Sequence, residues 1–137
     1  YAIPIGKAEI KRVGTDVTVV ATSAMVPRAM GAAQQLEREG ISVEVVDPRT
    51  LRPLDEHTII KSVRKTNRLL IVHEAWTKGG FGAEVAATVV EHAFDYLDAP
   101  IARLGAPDAP MPYNDELERQ AIPSQEKIIE TIRKLLP

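Results

Sequence analysis

The stretch that most constrains this fold runs from Arg68 to Gly82 and reads RLLIVHEAWTKGGFG. It begins with an apolar run, Leu69 to Val72, which has the length and the branched side chains of a buried strand. The run then turns polar, and a glycine-rich turn at 79–82 leads into a helix predicted from Ala83 to about Tyr96. Strand, polar tip, glycine turn and helix form half of a βαβ unit. Function in such units gathers at the carboxyl end of the strand and the amino end of the helix.

The rest of the chain repeats this alternation of strand and helix. Because alternating strands and helices favour a parallel sheet covered on both faces, we expect a crevice at the carboxyl edge where the winding reverses. The first segment alternates apolar and polar residues and suits an edge strand. Strands are predicted at 7–12, 17–22, 41–46, 68–72 and 101–104, and helices from Pro27 to Gly40, from Asp55 to about Lys65, from Ala83 to about Tyr96 and from Ser124 to Leu136.

Polar residues follow four of these strands at the predicted carboxyl edge. His73 and Glu74 are candidates for a general-base pair or for an interface network. They also fit a strand end whose side chains satisfy neighbouring backbone groups and Arg49. Because adjacent strand residues point to opposite faces, the two cannot share one small site without help from the turn. The polar residues at the edge are Thr22 and Ser23; Asp47, Arg49 and Thr50; His73 and Glu74; and Asp108.

The turn Gly79-Gly80-Phe81-Gly82 has two interpretations. A helix start can hold an anion, but this turn lacks the Lys-Ser/Thr of a P-loop and the G-x-G-x-x-G spacing. Otherwise it is a tight turn where helix and strand pack closely. Trp76, the single tryptophan, is either an interface anchor or a packed loop aromatic. The sequence presents no self-contained catalytic set and no metal-ligand spacing, so we assign no catalytic, cofactor-binding or metal residue.

Composition narrows the function further. A chain of 137 residues with 45% hydrophobic residues suits one domain, 1–137. The net charge of -2 argues against nucleic-acid binding, and the absence of cysteine excludes disulfides and thiolate metal sites. No apolar run approaches the roughly 20 residues that span a membrane. The chain opens at Tyr1, so we expect a fragment of a longer protein in which residues 1–7 are the remnant of an interdomain linker.

Several runs occur in the order and spacing of one family. They are IPIGKAEIK (3–11), VEVVDPRTLRPLD (43–55), VHEA (72–75), GGFGAE (79–84), APIAR (99–103) and PDAPMPY (107–113). With these runs the chain resembles the C-terminal domain of the beta subunit of 2-oxo acid dehydrogenases, the thiamin-diphosphate-dependent decarboxylating component of the pyruvate and branched-chain complexes. The resemblance covers essentially the whole chain, and residues 47–55 are its most specific part.

The resemblance implies a transketolase C-terminal domain-like fold. This is an α/β fold, a three-layer α/β/α sandwich with a five-stranded, mostly parallel sheet in the order 1-3-2-4-5, the first strand antiparallel. It also implies that the intact enzyme decarboxylates a 2-oxo acid and acylates a lipoyl group. Thiamin diphosphate and Mg would be held between the alpha subunit and the N-terminal domain of beta, and not by this domain alone. The domain would carry none of the covalent steps.

The partners implied are the alpha subunit and a second beta subunit in a heterotetramer, and the subunit-binding domain of the acyltransferase. Pyruvate dehydrogenase is our first choice, and the location implied is cytoplasmic, or the mitochondrial matrix in a eukaryote. The alternatives are a branched-chain or acetoin dehydrogenase, a transketolase, and an anion-binding regulatory module. Interface or crevice candidates are Arg49, His73, Glu74, Trp76, Gly79, Gly80 and Phe81, and acyltransferase-docking candidates are Asp108 and Pro137.

Overall fold

The computed structural model describes residues 4–76, 80–106 and 122–137. Within these ranges strands and helices alternate along the chain, as the sequence predicts. The elements are β1 (Glu9–Arg12), β2 (Val17–Ala21), α1 (Met25–Glu37), β3 (Val43–Asp47), α2 (Glu56–Thr66), β4 (Leu69–Trp76), α3 (Phe81–Ala93), β5 (Ala102–Ala106) and α4 (Gln125–Leu135), with a 3₁₀ turn, Phe94–Tyr96, directly after α3.

The strands form one sheet in the order β1-β3-β2-β4-β5. β1 is antiparallel to β3, and the other neighbouring strands are parallel. The predicted strand order and the antiparallel first strand are therefore confirmed. Because β1 runs against its neighbours, Glu9 at its start lies opposite Asp47 at the end of β3. The chain thus enters the sheet at its carboxyl edge.

Two apolar cores fill the space between the sheet and its helices. On one face α1 and α4 cover the sheet, with Leu36 and Ile132 fully buried among strand valines. On the other face α2 and α3 pack over residues such as Val20 and Ile71. The helix after β2 and the helix after β4 therefore lie on opposite faces, and the winding reverses between these adjacent strands. This reversal is the switch point at which open α/β sheets form a crevice.

The helix caps follow the sequence closely in α2 and α4. The carboxylate of Asp55 accepts a hydrogen bond from the backbone N–H of Thr58 at 3.2 Å. The hydroxyl of Ser124 accepts one from the N–H of Lys127 at 3.1 Å. Each bond satisfies a donor that the first turn of a helix leaves without an intrahelical acceptor. Both predicted N-caps are confirmed.

Several predicted boundaries are wrong by two residues or more, among them the start of α1 and the end of β4. α1 begins at Met25 rather than near Pro27, which lies inside its first turn; proline is tolerated there because the first N–H groups of a helix have no intrahelical acceptor. β4 continues beyond Val72 to Trp76. The extension is stabilised by β5, since Trp76 pairs with Ala106 after a register shift.

Candidate functional site

The carboxyl edge of the sheet brings together four parts of the chain. These are the end of β2, the loop between β3 and α2, the amino end of α3, and the start of β1. Two non-glycine residues at this edge, Ser23 and Arg49, have positive φ angles of 49° and 61°. Such backbone conformations are uncommon for residues with a side chain, and they gather at functional regions.

His73 does not lie at this edge as a strand tip. Its side chain points into the protein and is only 2% exposed. The Nδ1 atom is 2.9 Å from the carbonyl oxygen of Ala75, to which it donates as a neutral imidazole. Burial, the largest influence, lowers the pKa of His73, and the positive charge of Arg103 lowers it further. Within this domain the His73 side chain therefore does not reach the surface, and its assignment as an interface residue stays a prediction.

The ring of His73 lies between two glycines. A Cβ atom at Gly82 in α3 would overlap Nε2, and a Cβ at Gly105 in β5 would lie 2.7 Å from Cε1. Nε2 has no hydrogen-bond partner among the residues that the structure describes. The tight-packing interpretation of the glycine turn therefore accounts for Gly82, because only glycine leaves room for the ring.

The other residues predicted near the turn are placed differently. Glu74 is exposed, on the opposite side of β4 from His73, as strand alternation predicts. Gly80 is the N-cap of α3 in an extended conformation, and Phe81 is partly buried against the core beneath α2 and α3. Trp76 is the last residue of β4. The candidates Gly79 and Asp108 lie outside the described residues, and Pro137 is exposed just after α4.

Arg49 is held by the loop that contains it. Its backbone N–H donates to the Asp47 carboxylate at 2.8 Å, and its guanidinium pairs with the carboxylate of Glu9. Hydrogen bonds from Lys11 and Arg49 lower the pKa of Glu9. The partner of Arg49 among the described residues is thus Glu9 at the start of β1.

The same loop, residues 47–55, holds the backbone that leads into β1. The Thr50 hydroxyl accepts a hydrogen bond from the N–H of Gly6 at 3.2 Å and donates to the carbonyl of Pro53 at 2.9 Å. The Asp55 carboxylate, besides capping α2, accepts a bond from the N–H of Ala8 at 2.9 Å. We call residues 4–8 the entry segment.

A cavity of about 650 Å³ lies between this loop and α3. Arg52 is its basic residue, but the carboxylates of Glu56 and Glu84 are also in its walls, so the lining does not favour an anion. No group of three potential metal ligands occurs in the described parts of the chain. The cavity therefore offers surface for contact rather than a set of reactive groups.

A buried polar network was missed at the sequence level. Glu44 in β3 is 2% exposed, and its carboxylate accepts from Ser62 at 2.6 Å, from the N–H of Gly14 at 3.1 Å and from the ammonium of Lys65. Burial raises the pKa of Glu44, but the bonds from Lys65, Ser62 and Gly14 outweigh burial and lower it. The signal was a lone carboxylate in the apolar run Val43-Glu-Val-Val, which indicates a paired buried charge.

Among the residues that the structure describes, no helix has the length and apolarity to cross a bilayer. The described carboxyl edge combines charges that are paired within the domain with an adjoining cavity.

Comparison with known proteins shows which proteins this chain is similar to along nearly its whole length. The family model for the transketolase C-terminal domain matches residues 6–128. The mitochondrial pyruvate dehydrogenase E1 component subunit beta of Dictyostelium discoideum is 48% identical over 98% of this chain. The acetoin:2,6-dichlorophenolindophenol oxidoreductase subunit beta of Bacillus subtilis is also 48% identical, over 99% of the chain. This chain spans 38% and 40% of those two relatives.

A solved structure supports the same grouping. A split gene transketolase, described as an inactive beta4 tetramer, superposes with a TM-score of 0.85 and 28% identity, over 99% of this chain and 43% of its own. The similarity extends over both cores and the carboxyl edge.

Proposed function

Because the chain belongs to the transketolase C-terminal domain family, we propose that it is the C-terminal assembly and docking domain of the beta subunit of a 2-oxo acid dehydrogenase. The observation that carries this proposal is the 48% identity to a pyruvate dehydrogenase beta subunit over 98% of the chain. The intact enzyme decarboxylates pyruvate and transfers the acyl group to a lipoyl group. This domain supplies contact surface and takes part in none of the covalent steps.

The chemistry of the edge supports a contact role. Three of the titratable groups at or near it are used within the domain: His73 bonds to Ala75, Arg49 pairs with Glu9, and Asp55 caps α2 and binds Ala8. Groups held in this way position backbone and are poorly placed to exchange protons with a substrate. The domain therefore presents a preorganised surface.

We propose that the thiamin diphosphate and Mg of the intact enzyme are held in the rest of the enzyme, between the alpha subunit and the N-terminal part of beta, as the resemblance to the beta subunit of 2-oxo acid dehydrogenases implies.

The proposed partners are the alpha subunit, a second beta subunit and the subunit-binding domain of the acyltransferase. We place the acyltransferase near the end of α4 at Pro137, with Asp108 as a second contact. Helix α4 itself is not a removable appendage, because Ile128 and Ile132 are fully buried against the sheet. Single substitutions are therefore better tests than removal of the helix. The intact enzyme would be cytoplasmic in a bacterium or archaeon and in the mitochondrial matrix of a eukaryote.

The test uses the intact beta subunit, coexpressed with its alpha subunit. We expect a heterotetramer by analytical ultracentrifugation, lipoyl acylation from pyruvate, and binding to the acyltransferase subunit-binding domain. Asp108→Lys and Pro137→Asp should weaken that binding while the heterotetramer persists, and Val13→Asp, at an exposed position elsewhere, should not. Failure of beta to associate with alpha would contradict the assembly role.

Acetoin is the second candidate substrate, because the relative from Bacillus subtilis is as similar as the pyruvate dehydrogenase subunit. Assaying the reconstituted enzyme with pyruvate and with acetoin separates the two. A rate with acetoin alone would replace pyruvate and leave the assembly role unchanged.

A further inference from the structure

We propose that the loop 47–55 and the surface beside it form the interface with the part of the same subunit that precedes residue 4, and that the loop fixes the direction in which the chain enters. This inference rests on the proposed function, since it requires an intact beta subunit with an N-terminal part. The relatives support its existence, because this chain spans only 38% to 40% of their length.

The entry point places that preceding part. β1 is antiparallel to the other strands, so the entry segment reaches the sheet at its carboxyl edge, where Glu9 lies opposite Asp47. A first strand parallel to the others would have brought the chain in at the amino edge. The preceding part of the subunit is therefore attached at the carboxyl edge, at the side of the sheet formed by β1 and β3.

The loop holds the entry segment at two points and the first residue of β1 at a third. Thr50 binds the N–H of Gly6, Asp55 binds the N–H of Ala8, and Arg49 pairs with Glu9. The direction of the segment is also fixed by Gly6, which has a φ of +79° and whose added Cβ would lie 3.0 Å from Cγ of Pro53. These three contacts fall within residues 6–9 and fix the direction of the chain there. A single contact would leave the chain free to rotate about it.

Two exposed apolar side chains lie on the surface next to these contacts. Ile5 is 81% exposed and Leu51 is 50% exposed, one on the entry segment and one on the loop. Leu51 also lines the cavity of about 650 Å³ that Gly80 and Phe81 close from the side of α3. Exposed apolar side chains beside a cavity are typical of a surface that another domain covers. Because they lie where the chain enters the sheet, we take that domain to be the preceding part of the same subunit.

The test compares amide hydrogen exchange in the intact beta subunit and in the 137-residue chain. Segments 50–54 and 81–88 should exchange at least about tenfold more slowly in the intact subunit, because an interface suppresses local opening. Equal exchange in the two proteins overturns the inference. It would leave the proposed function standing, since heterotetramer formation and lipoyl acylation are measured separately.

Substitution of Leu51 adds a second measurement. In the intact subunit, Leu51→Asp should abolish the difference in exchange and lower the melting temperature, while the melting temperature of the 137-residue chain carrying the same substitution stays unchanged. Val13→Asp is the matched control, because Val13 is an exposed aliphatic residue (74%) beyond the other end of β1. Equal effects of Leu51→Asp and Val13→Asp in the intact subunit would also overturn the inference.

Discussion

The imidazole ring of His73 lies against Gly82 so closely that a Cβ atom at position 82 would overlap Nε2. This contact joins the strand β4 to the first turn of α3, and Gly105 closes the other side of the ring. The distances from β4 to α3 and to β5 therefore depend on the size of the His73 ring and on the lack of a side chain at Gly82 and Gly105.

Gly82→Ala should destabilise the domain by about 1–3 kcal/mol, the usual cost of an extra methyl group in a packed interior. The free energy of unfolding, measured in urea, checks this. Gly31→Ala is the control: it also lies in a helix, but its added Cβ would meet the flexible amide end of Gln125. We expect that variant to stay within about 1 kcal/mol of the parent. Equal losses would contradict the role of His73.

Stability should fall as the pH is lowered through about 6.5, the ordinary pKa of histidine. Burial lowers the pKa of His73, so the unfolded chain binds this proton more readily than the folded chain, and acid favours unfolding. Urea unfolding at pH 7.5 and pH 5.5 measures the difference, which His73→Gln should reduce. His92→Gln, at an exposed position on α3, should leave it unchanged. An unchanged difference in the His73 variant would refute this assignment.

Glu44→Ala should cost about 2–4 kcal/mol, because it leaves the Gly14 N–H and the Ser62 hydroxyl without their buried acceptor. Urea unfolding at pH 7 measures the loss. Glu39→Ala is the control, since Glu39 pairs with Arg133 at an exposed site and should leave the free energy of unfolding close to that of the parent. Because the pKa of Glu44 is lowered, its stabilisation is present above the unfolded pKa and is lost as the pH falls through the folded pKa.

Thr50→Val should release the entry segment while keeping the size of the side chain. It removes the acceptor for the Gly6 N–H and the donor to Pro53, at a cost of about 0.5–1.5 kcal/mol. Exchange of the Gly6 amide, followed by NMR, should become faster. Thr50→Ser keeps the hydroxyl and should restore slow exchange. Slow exchange in the valine variant would mean that another group holds Gly6.

Local patterns predicted much of the fold. The apolar runs of β2 and β3 place both strands between two helical layers, and Asp55 and Ser124 mark the starts of α2 and α4. These features depend on residues close in sequence, for which periodicity and capping rules are informative.

The errors arose where distant residues decide the local structure. β4 extends past the polar His73 because β5 supplies a partner strand and because Gly82 and Gly105 leave space for the ring. Gly105 is far from His73 in sequence, and although Gly82 belongs to the same stretch, no local pattern shows that it packs on the ring. The polarity of position 73 therefore suggested an exposed tip, whereas tertiary packing buries it.

The sequence indicated that the candidate site lies at the carboxyl edge, but it did not indicate the contacts that form the site. The polar carboxyl edge and the winding reversal were expected, and loop 47–55 was the most specific run of the resemblance. Its contacts with Gly6 and Ala8 were not foreseen, because they join backbone groups to side chains more than 40 positions away. The Glu44 network was missed for the same reason, since its partners come from α2 and from the turn after β1.

Arg68, just before β4, carries one more consequence. Its guanidinium donates to the carbonyl of Leu135 at 3.1 Å, which holds the last turn of α4 at the amino edge of the sheet. The entry segment lies at the opposite, carboxyl edge, and a five-residue strand such as β2 separates the two by about 17 Å. Two domains or subunits attached at the entry segment and at the end of α4 would be separated by the length of the β-sheet. One could be exchanged or repositioned without displacing the other.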